Sequence, residues 1–207
     1  MASSVFSDLA VDLSSLQTVE TYKCILRSGY KRVVIRGYIE AYGRNPGGAI
    51  DRNFVQNYKN ARAAGFTYID VYMFPCTGRP TCKTPQQQVQ ELVRLINTNK
   101  IIVATAWLDL EVDPNANNWS MGAVKNREVL RQFYRAWQST GWKWGIYTVR
   151  EIFYFIHVYF LCSKRLVNTF NCKSRVDTNG VELLEITIGF WILALNCGMP
   201  IGIIAQF

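Results

Sequence analysis

Two carboxylates one residue apart, Asp109 and Glu111, close the stretch Trp107-Leu108-Asp109-Leu110-Glu111. The apolar run before them, Ile101 to Trp107, reads as a buried strand. Strand side chains alternate faces, so Trp107, Asp109 and Glu111 share one side. Two acids this close repel, and each is costly to desolvate, so packing gives no reason for them. Such a pair can do acid–base work on a substrate, one carboxyl giving a proton and the other stabilising charge. Asp-x-Glu alone is a weak signal, because a strand running into a solvated loop can end the same way. Further acids decide. Asp12 lies on the short apolar strand Ala10–Leu13, and Asp70 lies on Phe66–Phe74, where Tyr68, Asp70 and Tyr72 share a face.

The elements that would hold these acids follow in order. After Ala10–Leu13, the three-and-four spacing of Val19, Tyr22, Ile25 and Leu26 predicts a helix that Gly29 closes. Lys31–Tyr38 is strand-like. Asp51 is expected to cap a second helix, with Phe54, Tyr58 and Ala61 on one face and Gly65 at its end. Phe66–Phe74 is a third strand. Thr84-Pro85 opens a helix with Val89, Leu92, Val93 and Ile96 inward. The Asp-x-Glu strand is the fourth. A helix from about Met121 to Thr140 and a fifth strand, Trp142–Thr148, complete the series. Strand and helix thus alternate five strands deep, which means parallel βαβ units. No G-x-G-x-x-G follows the first strand, which disfavours a dinucleotide-binding sheet. In a β/α barrel, polar residues at strand C-terminal ends converge on one site, and Asp12, Asp70, Asp109 and Glu111 are placed to do so.

The bulk numbers fit one domain, or one domain with an appendage: 207 residues, 49% hydrophobic and 14% aromatic. The formal net charge is +8, most of it before residue 149 and scattered rather than run together. A basic surface suits anionic partners, bacterial cell walls among them. No basic run or nucleic-acid motif accompanies it, so a nucleic-acid partner is not expected. Of six cysteines, Cys76 and Cys82 flank a short Gly- and Pro-containing loop. They invite a disulfide in an oxidising compartment; free thiols in a cytosolic loop are the alternative. Cys24 has no evident partner. The one histidine, His157, and the absence of zinc-ligand spacing argue against metal catalysis, and no cofactor is expected. The first ten residues show no signal-peptide pattern, so the protein is cytosolic or its N-terminus lies upstream.

Six motifs occur in order: Val11-Asp12-Leu13-Ser14-Ser15, Val34-Ile35-Arg36-Gly37-Tyr38, Asp51-x-Asn53-Phe54, Asp70-Val71-Tyr72-Met73-Phe74-Pro75, Trp107-Leu108-Asp109-Leu110-Glu111 and Gly145-Ile146-Tyr147-Thr148. Over residues 10–148 the set resembles the family-25 glycoside hydrolases, the Chalaropsis-type lysozymes, in their secreted protist and invertebrate branch. The resemblance implies a TIM-like β/α barrel and hydrolysis of the β-1,4 bond between N-acetylmuramic acid and N-acetylglucosamine in peptidoglycan. It implies that Glu111 is the general acid and base. Asp109 would steady the substrate's own N-acetyl group as that group attacks the anomeric carbon. Asp12 would bind sugar and tune the pair. Asp70 and Tyr72 match the third-strand end, and Arg36, Trp107 and Tyr147 would contact sugar or orient a carboxylate. For Arg36 the competing reading is charge balance; for Trp107 and Tyr147 it is packing of the barrel mouth. A monomer is implied, acting outside the cell or in a lysosome or phagosome, in defence or digestion.

The resemblance stops at Thr148. Residues 149–207 hold an apolar run at 152–162, then Lys164 and Arg165, a polar stretch, and a nearly continuous apolar segment at 186–207. Three readings stand: a membrane segment within 186–207, strands that close the barrel in a divergent way, or sequence foreign to the family's coding frame. A barrel with five of its strands would be incomplete, leaving Glu111 wet and without a raised pKa. The alternative function is therefore a catalytically impaired lysozyme-like protein, attached to a membrane if 186–207 is a membrane segment.

Overall fold

The computed structural model describes residues 10–40, 46–113 and 117–148, together with the backbone of four short strands at 173–176, 182–185, 189–191 and 204–206. The sequence readings on 152–162, His157, Lys164, Arg165 and much of 186–207 lie outside these residues, as do Cys162, Cys172 and Cys197.

Strand and helix alternate as their patterns dictate. β1 (Ala10–Leu13) leads to α1 (Val19–Arg27), whose N-cap Thr18 accepts a hydrogen bond from the Thr21 amide. β2 (Arg32–Ile39) is followed by a two-residue strand, β3 (Ala49–Ile50), and by α2 (Phe54–Ala64). The N-cap of α2 is Asn53 and not the expected Asp51. Asp51 lies two residues upstream, where Oδ1 accepts from the Asn53 amide and Oδ2 pairs with Arg36. β4 (Tyr68–Met73) precedes α3 (Pro85–Thr98), which opens on a reciprocal Thr84/Gln87 capping box with proline at the start. β5 (Ala106–Asp109) leads to α4 (Ala123–Gln138), and β6 (Trp144–Tyr147) follows.

The expected fourth strand is shorter than its apolar run. Ile101–Thr105 approaches β4 through single backbone bonds, Ala104 N–H to Ile69 and Val71 N–H to Thr105, and Ile102 is 74% exposed. Tertiary context thus overrides the β propensity of Ile101-Ile102-Val103.

Five strands pair in parallel in the order β1-β2-β4-β5-β6, and β3 adds antiparallel to β2. The sheet does not close into a barrel among the described residues. The register sorts the faces. Asp12 stands opposite Val34 and Val34 opposite Asp70. Arg36, Tyr72, Trp107 and Gly145 form the next row, and Asp109 stands opposite Tyr147. Alternation puts all of these on one side. The other side carries Val11, Leu13, Val33, Ile35, Ile69, Val71, Met73, Ala106 and Leu108, which form the core with the apolar stripes of the helices. A bulge between Arg36 and Tyr38 moves Tyr38 to the helix side, where its hydroxyl donates to Glu91 of α3.

Past Thr148, β7 (Lys173–Val176) pairs antiparallel with β8 (Glu182–Glu185), and β9 (Gly189–Trp191) with β10 (Ile204–Gln206). The described parts of 186–207 are therefore strands. No described helix is long and apolar enough to cross a membrane.

Candidate active site

Every strand residue singled out for chemistry lies on one face of the sheet: Asp12, Arg36, Asp70, Tyr72, Trp107, Asp109 and Tyr147. They form layers. In the lower layer Asp70 is fully buried, and its Oδ2 accepts from Arg32 at 2.8 Å and from the Trp107 indole N–H at 3.0 Å. The expected rim position for Asp70 is not observed; it lies in the floor, where it orients Trp107. The ring of Trp107 lies across β6 because residue 145 is glycine: a Cβ there would stand 2.6 Å from the ring.

The upper layer holds the acids. Asp109 ends β5 with 4% of its surface exposed, and its Oδ1 is buried without a hydrogen-bond partner. Burial raises its pKa well above the ordinary range. The neighbouring carboxylates Glu111, Asp12 and Glu40 push it further, and Arg36 opposes them. Glu111 lies two residues past the strand, half-buried, and burial raises its pKa too. This corrects the expectation that an incomplete barrel would leave Glu111 in water with an ordinary pKa.

Tyr147 donates to Asp12 Oδ2 at 2.7 Å and stacks on Tyr72 with ring centroids 6.3 Å apart. Both phenols are pushed far above their ordinary pKa, chiefly by burial and in part by Asp12 and Asp109, so both stay neutral donors. Arg36 Nε pairs with Asp51 Oδ2 at 2.7 Å.

Two residues of the site escaped the sequence reading. Asp51 looked like a helix cap and is the partner of Arg36. Glu40, buried at the C-terminal end of β2, has a pKa raised by burial; Arg36 opposes this while Asp113 and Asp51 add to it. Ending that strand at Tyr38 hid it. Carrying the strand on through Ile39 would have exposed one more acid at a strand end.

The predicted Cys76–Cys82 disulfide is present, with Cα atoms 5.4 Å apart. Cys24, for which the sequence offered no partner, is disulfide-bonded as well. No group of three or more metal-ligating side chains occurs among the described residues.

A buried and a half-buried carboxyl beside a third acid, lined by tyrosines and a tryptophan, are chemistry for protonating and cleaving a polar substrate. The sequence profile of the lysozyme-like protein 1 family matches residues 3–159. The chain belongs to that family. It is 31% identical to lysozyme-like protein 5 of Caenorhabditis elegans over 138 residues, which is 67% of this chain and 59% of that protein. It is 32% identical to probable GH family 25 lysozyme 4 of Dictyostelium discoideum, with the same coverage. The chain thus spans about three fifths of the length of these relatives. The resemblance to family-25 glycoside hydrolases over residues 10–148 is borne out.

The fold has solved counterparts. The catalytic domain of endolysin ply40 from a Listeria monocytogenes bacteriophage superposes with a TM-score of 0.62 at 16% identity, covering 99% of this chain and 95% of that one. The glycosyl hydrolase 25 GHIP of Streptococcus pneumoniae gives 0.60 at 15% identity, covering 96% and 86%. These likenesses concern the fold alone.

Proposed function

We propose that this lysozyme-like chain is an N-acetylmuramidase, hydrolysing the β-1,4 bonds of bacterial peptidoglycan. The observation that carries this is the carboxyl pair: Asp109, sealed with a bare Oδ1, beside half-buried Glu111, with burial raising the pKa of both. Neighbouring carboxyls of this kind titrate as a unit and share a proton. With substrate in place the proton resides on Glu111, which delivers it to the leaving sugar's oxygen. The Asp109 carboxylate then accepts from the acetamido N–H of the sugar, while the acetamido oxygen attacks the anomeric carbon. Water later opens the cyclic intermediate, with Glu111 as base, and the configuration is retained. Asp12, held by Tyr147, faces the sugar. Trp107 and Tyr72 supply apolar surface for it, Arg36 orients the acids, and Asp70 supports the site from below. No cofactor enters this scheme.

The disulfides suit an oxidising compartment, outside the cell or in a lysosome or phagosome, and a role in antibacterial defence or digestion. A monomer suffices, since all the acids lie on one chain. The second reading, a catalytically impaired lysozyme-like protein, draws on the open sheet. Release of reducing ends from purified peptidoglycan separates the two. The muramidase reading expects Glu111→Gln to lose about 10²–10⁴-fold; equal rates for the variant and the wild type would sink it.

A further inference from the structure

We infer that the disulfide-closed loop after β4 positions Glu111, acting through Thr77, Trp119 and Asn118. The inference rests on the reading of Glu111 as the proton donor. Glu111 lies outside β5, so the sheet ladder does not fix it. Other bonds do. The Leu110 amide donates to the Tyr147 carbonyl, and the Thr148 hydroxyl donates to the Leu110 carbonyl at 2.8 Å. Immediately beyond, Asn118 Nδ2 donates to the Glu111 carbonyl and Asn118 Oδ1 accepts from the Asp113 amide, both at 2.7 Å. One side chain, 1% exposed, thereby spans the turn that carries the acid.

Asn118 is itself held from outside the turn. Its neighbours Asn117 and Trp119 have φ of 54° and 53°, left-handed backbone that is unfavourable for a side chain such as that of Trp119 and milder for asparagine. Surrounding contacts must offset that. The Trp119 amide donates to Thr77 Oγ1 at 2.7 Å, and Asn126 Nδ2 of α4 donates to the Trp119 carbonyl at 2.7 Å. Gly78, at φ 79°, lies so close to the Asn117 carbonyl that a Cβ would stand 2.5 Å from it. Thr77 and Gly78 belong to the loop closed by Cys76–Cys82. Gln88 of α3 clamps that loop: its Oε1 accepts from the Cys76 amide, and its Nε2 donates to the Cys76 carbonyl, each at 2.9 Å. The path runs from α3 through the disulfide loop to the turn after β5, and each step between elements is a buried or part-buried hydrogen bond. Pre-organisation of this kind holds a catalytic group where a displacement of about 1 Å can cost 10²-fold.

The test uses the full chain with Asn118→Ala, Thr77→Val and the conservative Thr77→Ser. The Glu111 carboxyl is titrated by 13C NMR, its resonance assigned by its loss in Glu111→Gln. On peptidoglycan fragments kcat and KM are measured separately. The expected result is that Asn118→Ala and Thr77→Val let Glu111 into solvent, so its titration moves down toward the ordinary glutamate range. In both, kcat falls about tenfold to a hundredfold while KM holds, and Thr77→Ser keeps both values. An unchanged Glu111 titration and kcat in Asn118→Ala or Thr77→Val would overturn the inference. If Asn118→Ala does not melt cooperatively, Thr77→Val decides, since it leaves Asn118 in place. If the wild type cleaves nothing, the muramidase reading fails and the titration alone still decides the positioning.

Discussion

The Tyr147 hydroxyl donates to Asp12 Oδ2 at 2.7 Å across 135 residues of sequence, tying β6 back to β1. These are the first and last strands of the parallel sheet, so the bond spans the site where hydrogen-bonded pairing does not. It fixes an acid that sits near Asp109, and it keeps Tyr147 stacked on Tyr72. Tyr147→Phe removes the donor and keeps the ring. The expected outcome is a stability loss of about 1.5–3 kcal/mol, the range for a hydrogen bond to a charged group, read from urea melts. Activity should fall more than stability explains, because Asp12 then moves relative to the pair. A variant as stable and as active as the wild type would remove Tyr147 from the site.

Asp109 should make the fold pH-dependent in an unusual direction. Its native pKa lies above the ordinary 3.8, so the native state binds its proton more tightly than the unfolded chain does. The stability from that group is fully present below the unfolded value and is lost as pH rises through the native one. Asp109→Asn resembles the protonated form at every pH. The variant should therefore melt with the wild type in acid and above it at neutral pH, by about 0.5–2 kcal/mol, the usual scale of such active-site trade-offs. Its activity should drop by about 10²–10³, as when one pre-organised electrostatic contact is removed. Parallel melting curves at both pH values would show that Asp109 is not strained by burial.

Much of this was readable from the chain. The apolar spacing gave four helices and the parallel strand series, since a helix stripe and a buried strand each impose a period that loops do not. Asp12, Asp109 and Glu111 stood out because acids on apolar strands have no packing role. What the sequence could not supply was depth. Asp70 and Asp109 look alike as acids on strands, but register puts one in the floor against Arg32 and the other near the mouth. Glu40 and Asp51 were hidden for a related reason: a strand ending and a helix cap are local readings, while the pairing of Asp51 with Arg36 joins two elements. The backbone around Glu111 is held by Thr148 and Asn118, contacts that no local pattern announces.

Asp70 offers a contrast between support and chemistry. Its carboxylate is fully buried and ion-paired to Arg32, and it holds the indole of Trp107. Arg32 is 21% exposed, so removing Asp70 leaves a part-buried guanidinium short of one acceptor, at about 1–3 kcal/mol. Asp70→Ala should therefore lose about that much in denaturant melts. Asp70→Asn, which can still accept from Trp107, should lose less. If Asp70 acts as a floor residue, kcat per folded molecule in Asp70→Asn should stay within a few-fold of the wild type. A collapse of kcat in a fully folded Asp70→Asn would return Asp70 to direct work on the substrate.

The Trp107 ring packs directly over Gly145. A Cβ on residue 145 would stand 2.6 Å from one ring carbon of Trp107 and 3.0 Å from the next, so Gly145→Ala must displace the ring. The ring cannot slide freely, since its N–H is bonded to Asp70. Overpacking of this kind costs about 1–3 kcal/mol. A cycle with Trp107→Phe isolates the contact: phenylalanine lacks the carbons nearest residue 145, so Gly145→Ala should cost far less in that background, with a coupling of about 0.5–3 kcal/mol. On substrate, Gly145→Ala should raise KM more than it lowers kcat if Trp107 provides the sugar's stacking surface, because a tilted ring weakens binding in the ground state and the transition state alike. Additive stabilities in the cycle, together with an unchanged KM, would mean that Trp107 yields without cost and that the glycine is not what seats it.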